Sequence, residues 1–377
     1  MKAGLLGRKL GHSLSPQIHR LFGDYDYRLY EREPEAVEKF LRTGFAKADF
    51  DFLNVTIPYK KDVFRLCDAL SPLAQRLGNV NFVMRRPDGS LYGDNTDAFG
   101  VERLLKTVGA DVRGRKCAIL GAGGAAMTVQ AVLEELGAAE APFVRRGELP
   151  DKDAYLIANA TPVGMYPDVD GVRIDIADYP DCEVVVDLVY NPSPTRLVRE
   201  ARACGKKAVD GLVMLIAQAY RAYELMVPIR QSPPIIYLYG PPASGKSTLG
   251  AKLSAAMDWK FTDLDVEIVK KSGCSIPEIF ATEGETGFRA RELAALREVS
   301  SAKGQVVALG GGALLNAESR ALAEATGRVV CLDCPLETLM SRLSGGSRPL
   351  AADAERLRRL MAARKEHYAS FPVRVAF

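Results

Sequence analysis

Residues Ile235-Ile-Tyr-Leu-Tyr-Gly240-Pro-Pro-Ala-Ser-Gly245-Lys246-Ser247-Thr248 pass from an apolar stretch through a glycine-bounded loop into a segment that can start a helix. The spacing fits G-x-x-x-x-G-K-[ST]. In such a loop backbone N–H groups cradle phosphates, the lysine neutralises them and the Ser/Thr hydroxyl holds Mg²⁺. A nucleoside triphosphate site is therefore expected at Gly240, Ser244, Gly245, Lys246, Ser247 and Thr248. The loop begins after more than half of the chain, which predicts a separate unit upstream.

The chain has 377 residues, enough for two or three domains. Its 47% hydrophobic and 26% charged residues are ordinary for a soluble globular protein, and a net charge of +3 gives no footprint for nucleic acid or a membrane surface. The apolar stretch after Met1 is too short for a signal peptide, and no later segment is long enough to span a bilayer. The seven cysteines follow no framework pattern. Cys331 and Cys334 form a C-x-x-C without the second pair or nearby histidine that a zinc site needs. Reduced thiols and a cytoplasmic location are expected.

Pro228-Ile-Arg-Gln-Ser-Pro-Pro234 reads as a linker, and Gly109-Ala-Asp-Val-Arg-Gly-Arg115 as a second boundary. Strand-like runs at 53–57, 117–120, 141–144, 154–158, 182–188 and 306–309 alternate with helical stretches at 36–41, 127–136 and 195–201. This alternation predicts parallel α/β sheets throughout. The expected organisation is a substrate domain at 1–99, a Rossmann-like domain at 100–211, a linker at 229–234 and a P-loop domain at 235–377. A closing helix at about 212–228 is expected to return to the substrate domain.

Gly121-Ala-Gly123-Gly124-Ala125-Ala126 follows the strand at Cys117 and opens a helix, so a dinucleotide pyrophosphate can rest on the helix N-terminus. The next strand ends in Arg145-Arg146, and a cation there suits the 2′-phosphate of NADP. Upstream stand three polar clusters: Gly11-His-Ser13-Leu-Ser15-Pro16, Asn54-Val-Thr56-Ile-Pro58-Tyr-Lys60 and Gly93-Asp-Asn95-Thr-Asp97. A lysine paired with an aspartate can pass a proton to the alkoxide that develops as a hydride reaches a ketone.

Residues 1–228 resemble shikimate dehydrogenase. The resemblance implies Lys60 and Asp97 as the acid–base pair. It implies Ser13, Ser15, Thr56, Asn81, Tyr190 and Gln218 as substrate contacts. Thr161, in Asn159-Ala-Thr161-Pro-Val-Gly-Met165, and Gly211, in Gly211-Leu-Val-Met214, join the glycine loop and Arg145/Arg146 on the cofactor side. The implied reaction is reduction of 3-dehydroshikimate to shikimate with NADPH. The chain departs from the family after Arg146. Gly-Glu-Leu-Pro-Asp-Lys stands where a further helix is usual, and Val-Arg-Arg replaces the usual Asn-Arg-Thr. An abbreviated adenosine site and a thinly covered sheet face are expected.

Downstream of the phosphate loop, Thr262-Asp263-Leu-Asp265 falls where a second strand should end near the phosphates. Asp263 can assist Mg²⁺, together with Ser247, and Asp265 can orient an acceptor hydroxyl. Arg289, near Glu292, offers a fork for a carboxylate. Gly310-Gly311-Gly312 gives a backbone platform, and Arg348 lies in a lid-like loop whose cation can reach transferring phosphate. Trp259 and His367 are assigned to packing or surface. Residues 232–377 resemble shikimate kinase, which adds Arg364 as a second carboxylate-binding arginine.

The two resemblances interlock, because shikimate is the product of one activity and the acceptor of the other. The expected protein is a bifunctional α/β enzyme using NADP(H), ATP and Mg²⁺ on small-molecule substrates, with no nucleic-acid or membrane partner. Two alternatives stand beside this reading. One is a quinate/shikimate dehydrogenase of altered cofactor preference fused to a kinase. In the other, one half is a non-catalytic binding or scaffolding module.

Overall fold

The computed structural model describes residues 1–11, 13–227, 235–344 and 350–376; the expected linker and Arg348 lie outside them. Two compact units emerge, Met1–His19 with Asp24–Pro228, and Arg20–Gly23 with Ile229–Phe377.

In chain order the first part of the protein forms β1 (Lys2–Gly7), α1 (Ser15–Phe22), β2 (Asp26–Glu31), α2 (Val37–Ala46), β3 (Phe52–Val55), α3 (Lys60–Leu66), β4 (Ala69–Leu70), α4 (Pro72–Leu77), β5 (Phe82–Arg85), β6 (Leu91–Asp94) and α5 (Asp97–Thr107). These strands make one sheet in the order β2-β1-β3-β5-β6-β4. The sheet is not parallel throughout, as expected from the alternation of elements, because β5 runs antiparallel to both β3 and β6. For β5 and β6 the reason is local. Asp88 Oδ1 accepts from Ser90 N (2.9 Å) and Ser90 Oγ (2.7 Å), and Arg86 N donates to Ser90 O (2.8 Å), closing a tight turn. A short turn of this kind joins only antiparallel strands, since a parallel pair needs a long crossover.

The chain continues through β7 (Cys117–Leu120), α6 (Gly124–Glu135), β8 (Phe143–Val144), β9 (Leu156–Asn159), β10 (Val184–Asp187), α7 (Arg196–Ala203), β11 (Lys207–Val209) and α8 (Leu212–Met226). The second sheet is wholly parallel, in the order β11-β10-β9-β7-β8. Its strands β7, β9 and β10 are buried along their whole length, as parallel strands covered on both faces must be. β8 is shorter than the apolar run suggests, since Pro142 has no N–H to give to the ladder. The usual doubly-wound order carries one more strand beyond this edge. Here residues 145–155 contain no helix, and a cavity of about 270 Å³, lined by Ala118, Val144, Leu149 and Pro150, lies beneath that loop. Leu149 is 69% exposed, which bears on the thin cover expected from sequence.

Helix α8 packs back on the first sheet, with Ala222 buried against Ala3, Phe52 and Phe82. Its entry is held by Gly211. A Cβ there would lie 2.1 Å from the Leu188 carbonyl oxygen, so no larger residue fits without moving backbone.

The second unit holds β12 (Ile235–Tyr239), α9 (Lys246–Met257), β13 (Lys260–Asp263), α10 (Leu264–Ser272), α11 (Ile276–Val299), β14 (Gln305–Ala308), α12 (Ala317–Thr326), β15 (Arg328–Leu332), α13 (Leu336–Ser344), α14 (Leu350–Ala369) and β16 (Arg374–Val375). Its sheet is parallel, in the order β13-β14-β12-β15-β16. The apolar run at 235–239 is thus a central strand, buried at every position. Asp263 and Ser275 cap α10 and α11 with their side chains, which fixes where those helices begin.

Gly211→Ala is expected to destabilise the first unit by about 1–3 kcal/mol, the cost of overpacking against backbone. Hydrogen–deuterium exchange should quicken in α8 and its neighbouring strands and stay unchanged in the second unit. Unaltered exchange in α8 would contradict the close approach.

Candidate active sites

The first site is a cleft of about 460 Å³ in the first unit. Lys60 and Asp97 are the first residues of α3 and α5, delivered to the cleft by the ends of β3 and β6. Lys60 Nζ donates to Asp97 Oδ2, forming an ion pair. Asp97 Oδ1 accepts from Asn81 Nδ2 at 2.7 Å, and Asn95 Oδ1 holds the Asp97 N–H at 3.0 Å. The carboxylate is thus gripped from both sides, and Asp97 is only 8% exposed.

Ser13 and Ser15 line the same cleft, with Ser13 Oγ donating to Ser15 Oγ at 3.1 Å. Thr56, Asn81, Tyr190, Gly211 and Gln218 also line it, and Ala125 reaches it from the start of α6. Burial raises the Tyr190 phenol above its ordinary range, so its hydroxyl stays protonated and can donate. Gln218 is held by Nε2 donating to Leu215 O at 2.9 Å.

The glycine loop stands at the end of β7. Gly121 adopts φ +111° and packs so closely that a Cβ would lie 3.0 Å from Thr161 Cγ2. Gly123 and Gly124 instead face open space, at the N-terminus of α6. Exposed N–H groups beside empty volume fit a pyrophosphate. Thr161 is positioned by Asn159 Oδ1, which accepts from its hydroxyl at 2.6 Å. Arg145 and Arg146 are exposed just past β8, outside the cleft, and neither guanidinium has a partner among the described residues.

Supporting groups escaped the sequence reading. Asp187 is buried and accepts from Asn159 Nδ2 (2.8 Å), Thr195 Oγ1 (2.7 Å) and Val189 N (3.0 Å), tying the Thr161 loop to the Tyr190 loop. Burial pushes its carboxyl up to about 6. Behind the serines, Tyr27 donates to Asn54 Oδ1 at 3.0 Å and stacks on His19 at 3.9 Å. Burial pushes the His19 imidazole down to about 3, so it is neutral at physiological pH. The strand-end positions of Asn159 and Asp187 were the available signal.

The second site lies at the ends of β12, β13 and β14. Gly245 adopts φ +91° as the cap of α9, a conformation that favours glycine. Lys246 Nζ donates to Gly240 O (3.0 Å) and Pro241 O (2.7 Å), so it folds back over its own loop. Burial lowers its ammonium to about 8, against the pull of Asp265 and Asp263. Ser247 Oγ donates to Asp263 Oδ2 at 2.7 Å. A hydroxyl and a single carboxylate side by side suit Mg²⁺, which takes one or two carboxylates and completes its shell with phosphates and water. Ser244 is buried with its hydroxyl unpartnered among the described residues, while Thr248 is exposed at the helix start.

Asp265, Arg289, Glu292 and the glycine platform come together. Arg289 Nη1 donates to Glu292 Oε2 at 2.6 Å. A Cβ at Gly310 would lie 3.0 Å from Glu292 Oε1 and 3.2 Å from Asp265 Oδ1, and one at Gly312 would lie 2.6 Å from Arg289 Nη2. Both of those carboxylate oxygens are buried without a hydrogen-bond donor among the described residues. Burial raises both carboxyls above their ordinary range, opposed by Arg289 and, for Asp265, by Lys246. Orphaned acceptors of this kind suit the hydroxyls of a ligand.

Arg364 Nη1 donates to Gly311 O at 2.9 Å, joined there by the hydroxyls of Tyr368 (2.7 Å) and Tyr239 (3.2 Å). His367, assigned to packing or surface, pairs with the Tyr239 hydroxyl at 3.0 Å. Arg342 also went unnoticed. It donates to Ala243 O at 3.3 Å and brings a cation against the phosphate loop. Its place in the last turn of α13, just before the Gly/Ser loop, was the only hint.

Lys246 generates a pH prediction. Its lowered value means that the free protein loses this charge as pH rises through about 8. Bound phosphate restores the cation, so MgATP binding should take up a proton above that pH. Calorimetry in buffers of different ionisation enthalpy should give a Kd that is flat below about pH 7.5 and weakens by up to about tenfold per unit above about 8. A flat Kd to about pH 9.5, or proton release, would contradict the buried cation.

Comparison with known proteins gives these sites their context. The family model for the shikimate dehydrogenase substrate binding domain matches residues 5–83, and that for shikimate kinase matches residues 242–376. Shikimate dehydrogenase (NADP(+)) of Clostridium perfringens (strain SM101 / Type A) is 36% identical over 251 residues, covering 59% of this chain and 90% of that protein. The Methanopyrus kandleri protein of the same name is 39% identical over 258 residues, covering 59% and 88%. A crystal structure of shikimate 5-dehydrogenase from Thermus thermophilus, in complex with NADP(H) and shikimate, superposes with a TM-score of 0.54 at 31% identity, covering 60% of this chain and 92% of that one. The chain therefore belongs to the shikimate dehydrogenase family over its first unit and carries a shikimate kinase domain in its second.

Proposed function

We propose that this chain performs two consecutive reactions on one carbon skeleton. The first unit reduces 3-dehydroshikimate to shikimate with NADPH, and the second phosphorylates shikimate with ATP. The observation that carries the reading is the Lys60–Asp97 ion pair, braced by Asn81 and set in a polar cleft that Ala125 of α6 also lines.

NADPH, when bound, supplies the hydride. Lys60 donates a proton to the oxygen of the substrate carbonyl as negative charge develops there. Asp97 holds the ammonium by one oxygen while Asn81 holds the other, so the proton donor is fixed before substrate arrives. Ser13, Ser15, Thr56, Tyr190 and Gln218 offer neutral donors and acceptors around the cleft, suited to a ring carrying hydroxyls and one carboxylate. Gly121, Gly123 and Gly124 let the pyrophosphate approach backbone N–H groups, with Thr161 beside them.

In the second unit Lys246 and the loop N–H groups hold the transferring phosphates, and Arg342 adds positive charge on that side. Ser247 and Asp263 would hold Mg²⁺, which when bound would neutralise charge on the phosphate oxygens. Asp265 orients the acceptor hydroxyl, while Arg289 and Arg364 grip the shikimate carboxylate above the glycine platform. No helix among the described residues is long and apolar enough to cross a membrane.

Two substitutions should separate the activities. Lys60→Ala should lower the reductase kcat by roughly 10²–10⁴-fold, the usual cost of losing a positioned proton donor, with kinase kcat unchanged. Asp265→Asn should abolish phosphorylation but keep nucleotide affinity and leave reduction running. Parallel loss of both activities in either folded variant, measured by separate initial-rate assays, would overturn the assignment of two independent sites.

A further inference from the structure

We infer that Glu148 tunes cofactor choice in the first unit. Its carboxylate opposes the 2′-phosphate of NADPH and offers an acceptor to the ribose hydroxyls of NADH, so the site discriminates weakly between the two. The inference rests on the reductase reading above and adds a specificity-determining residue to it.

Location comes first. Gly121 N donates to Val144 O at 2.9 Å, which places the end of β8 directly beside the glycine loop. In a doubly-wound nucleotide fold the residues just past this strand meet the adenosine ribose. An acid there bonds the free 2′-hydroxyl, whereas a cation accommodates a 2′-phosphate. This chain places both kinds of group within one turn, Arg145 and Arg146 followed by Glu148.

The turn is built, not merely nearby. Arg145 N donates to Glu148 Oε2 at 2.7 Å, and Glu148 N donates to Arg145 O at 3.0 Å. Arg173 secures it from the other side, with Nη2 donating to Arg145 O at 2.6 Å and Nη1 to Val144 O at 3.4 Å. The carboxylate therefore occupies the first backbone N–H beyond the strand, a donor of the kind that a phosphate takes. Its second oxygen has no partner among the described residues and is open to solvent. Arg145 and Arg146 reach outward from the same turn with neither guanidinium neutralised by an ion pair. The phosphate thus gains two cations and meets one anion held on the same backbone.

The expected magnitude is modest because the groups are exposed. One unit charge at contact distance in water changes affinity by about fivefold, so removing the Glu148 charge should shift cofactor discrimination by roughly three- to tenfold.

The test measures the dissociation constants of NADPH and NADH by direct titration, and their kcat/KM with 3-dehydroshikimate, in the full chain and its Glu148→Gln variant at low and high salt. Glutamine keeps an oxygen acceptor for Arg145 N–H, so the turn is retained while the charge is lost. The NADPH/NADH ratio should rise three- to tenfold, mainly through a lower KM for NADPH, and the rise should shrink at high salt. Hydrogen–deuterium exchange in β7 and α6 and the KM for 3-dehydroshikimate, both unaffected by the change, report an intact first unit. An unchanged or lowered ratio, or parallel increases in both KM values, would overturn the role of Glu148 and leave the reductase reading standing. Wild-type protein that oxidises neither cofactor with 3-dehydroshikimate would remove the reductase reading itself.

Discussion

The first turn of a helix leaves N–H groups without intrahelical partners, and both candidate sites depend on where those turns fall. β7 feeds α6 and β12 feeds α9 at the carboxyl ends of parallel sheets, so each turn opens onto the crevice where such folds take ligands. Gly124 and Lys246 are the first residues of these helices, one for each nucleotide. The same rule places the chemistry of the first unit, since Lys60 and Asp97 begin α3 and α5. Anion binding and proton transfer are thus set by where helices start.

Burial then decides what the charges can do. In the first unit the Lys60–Asp97 pair is compensated within the protein, with Asn81 satisfying the remaining carboxylate oxygen. The second unit is left incomplete by contrast. Lys246 is bonded to loop carbonyls, and one oxygen each of Asp265 and Glu292 is buried without a donor among the described residues. An unsatisfied buried acceptor costs about 1–3 kcal/mol, and a ligand hydroxyl or water removes that cost. The kinase-like site therefore favours occupancy, whereas the acid–base pair of the reductase-like site is already satisfied before its substrate arrives.

Much of this was legible in the residues. The phosphate loop, the strands at 117–120 and 235–239, and the glycine turn at 121–124 are local patterns with local causes, and they fold as read. The hairpin at Arg86–Ser90 was just as local, yet the alternation of strands and helices concealed it. Contacts distant in sequence were not legible. Nothing in the order of residues says that Tyr239, Arg364 and Tyr368 converge on one carbonyl, or that Asp187 joins two loops. The short segment after Arg146 was visible as a departure. Its meaning required the turn in which Glu148 folds back onto Arg145.

The central claim is that one polypeptide carries two successive steps. Purified protein incubated with 3-dehydroshikimate, NADPH and MgATP tests it most directly, with nicotinamide absorbance and product masses followed together. The account predicts oxidation of one NADPH per substrate and accumulation of shikimate 3-phosphate, giving way to shikimate when ATP is withheld. Phosphate transfer to added shikimate without any NADPH oxidation, or reduction that stops at shikimate in the presence of MgATP, would contradict it.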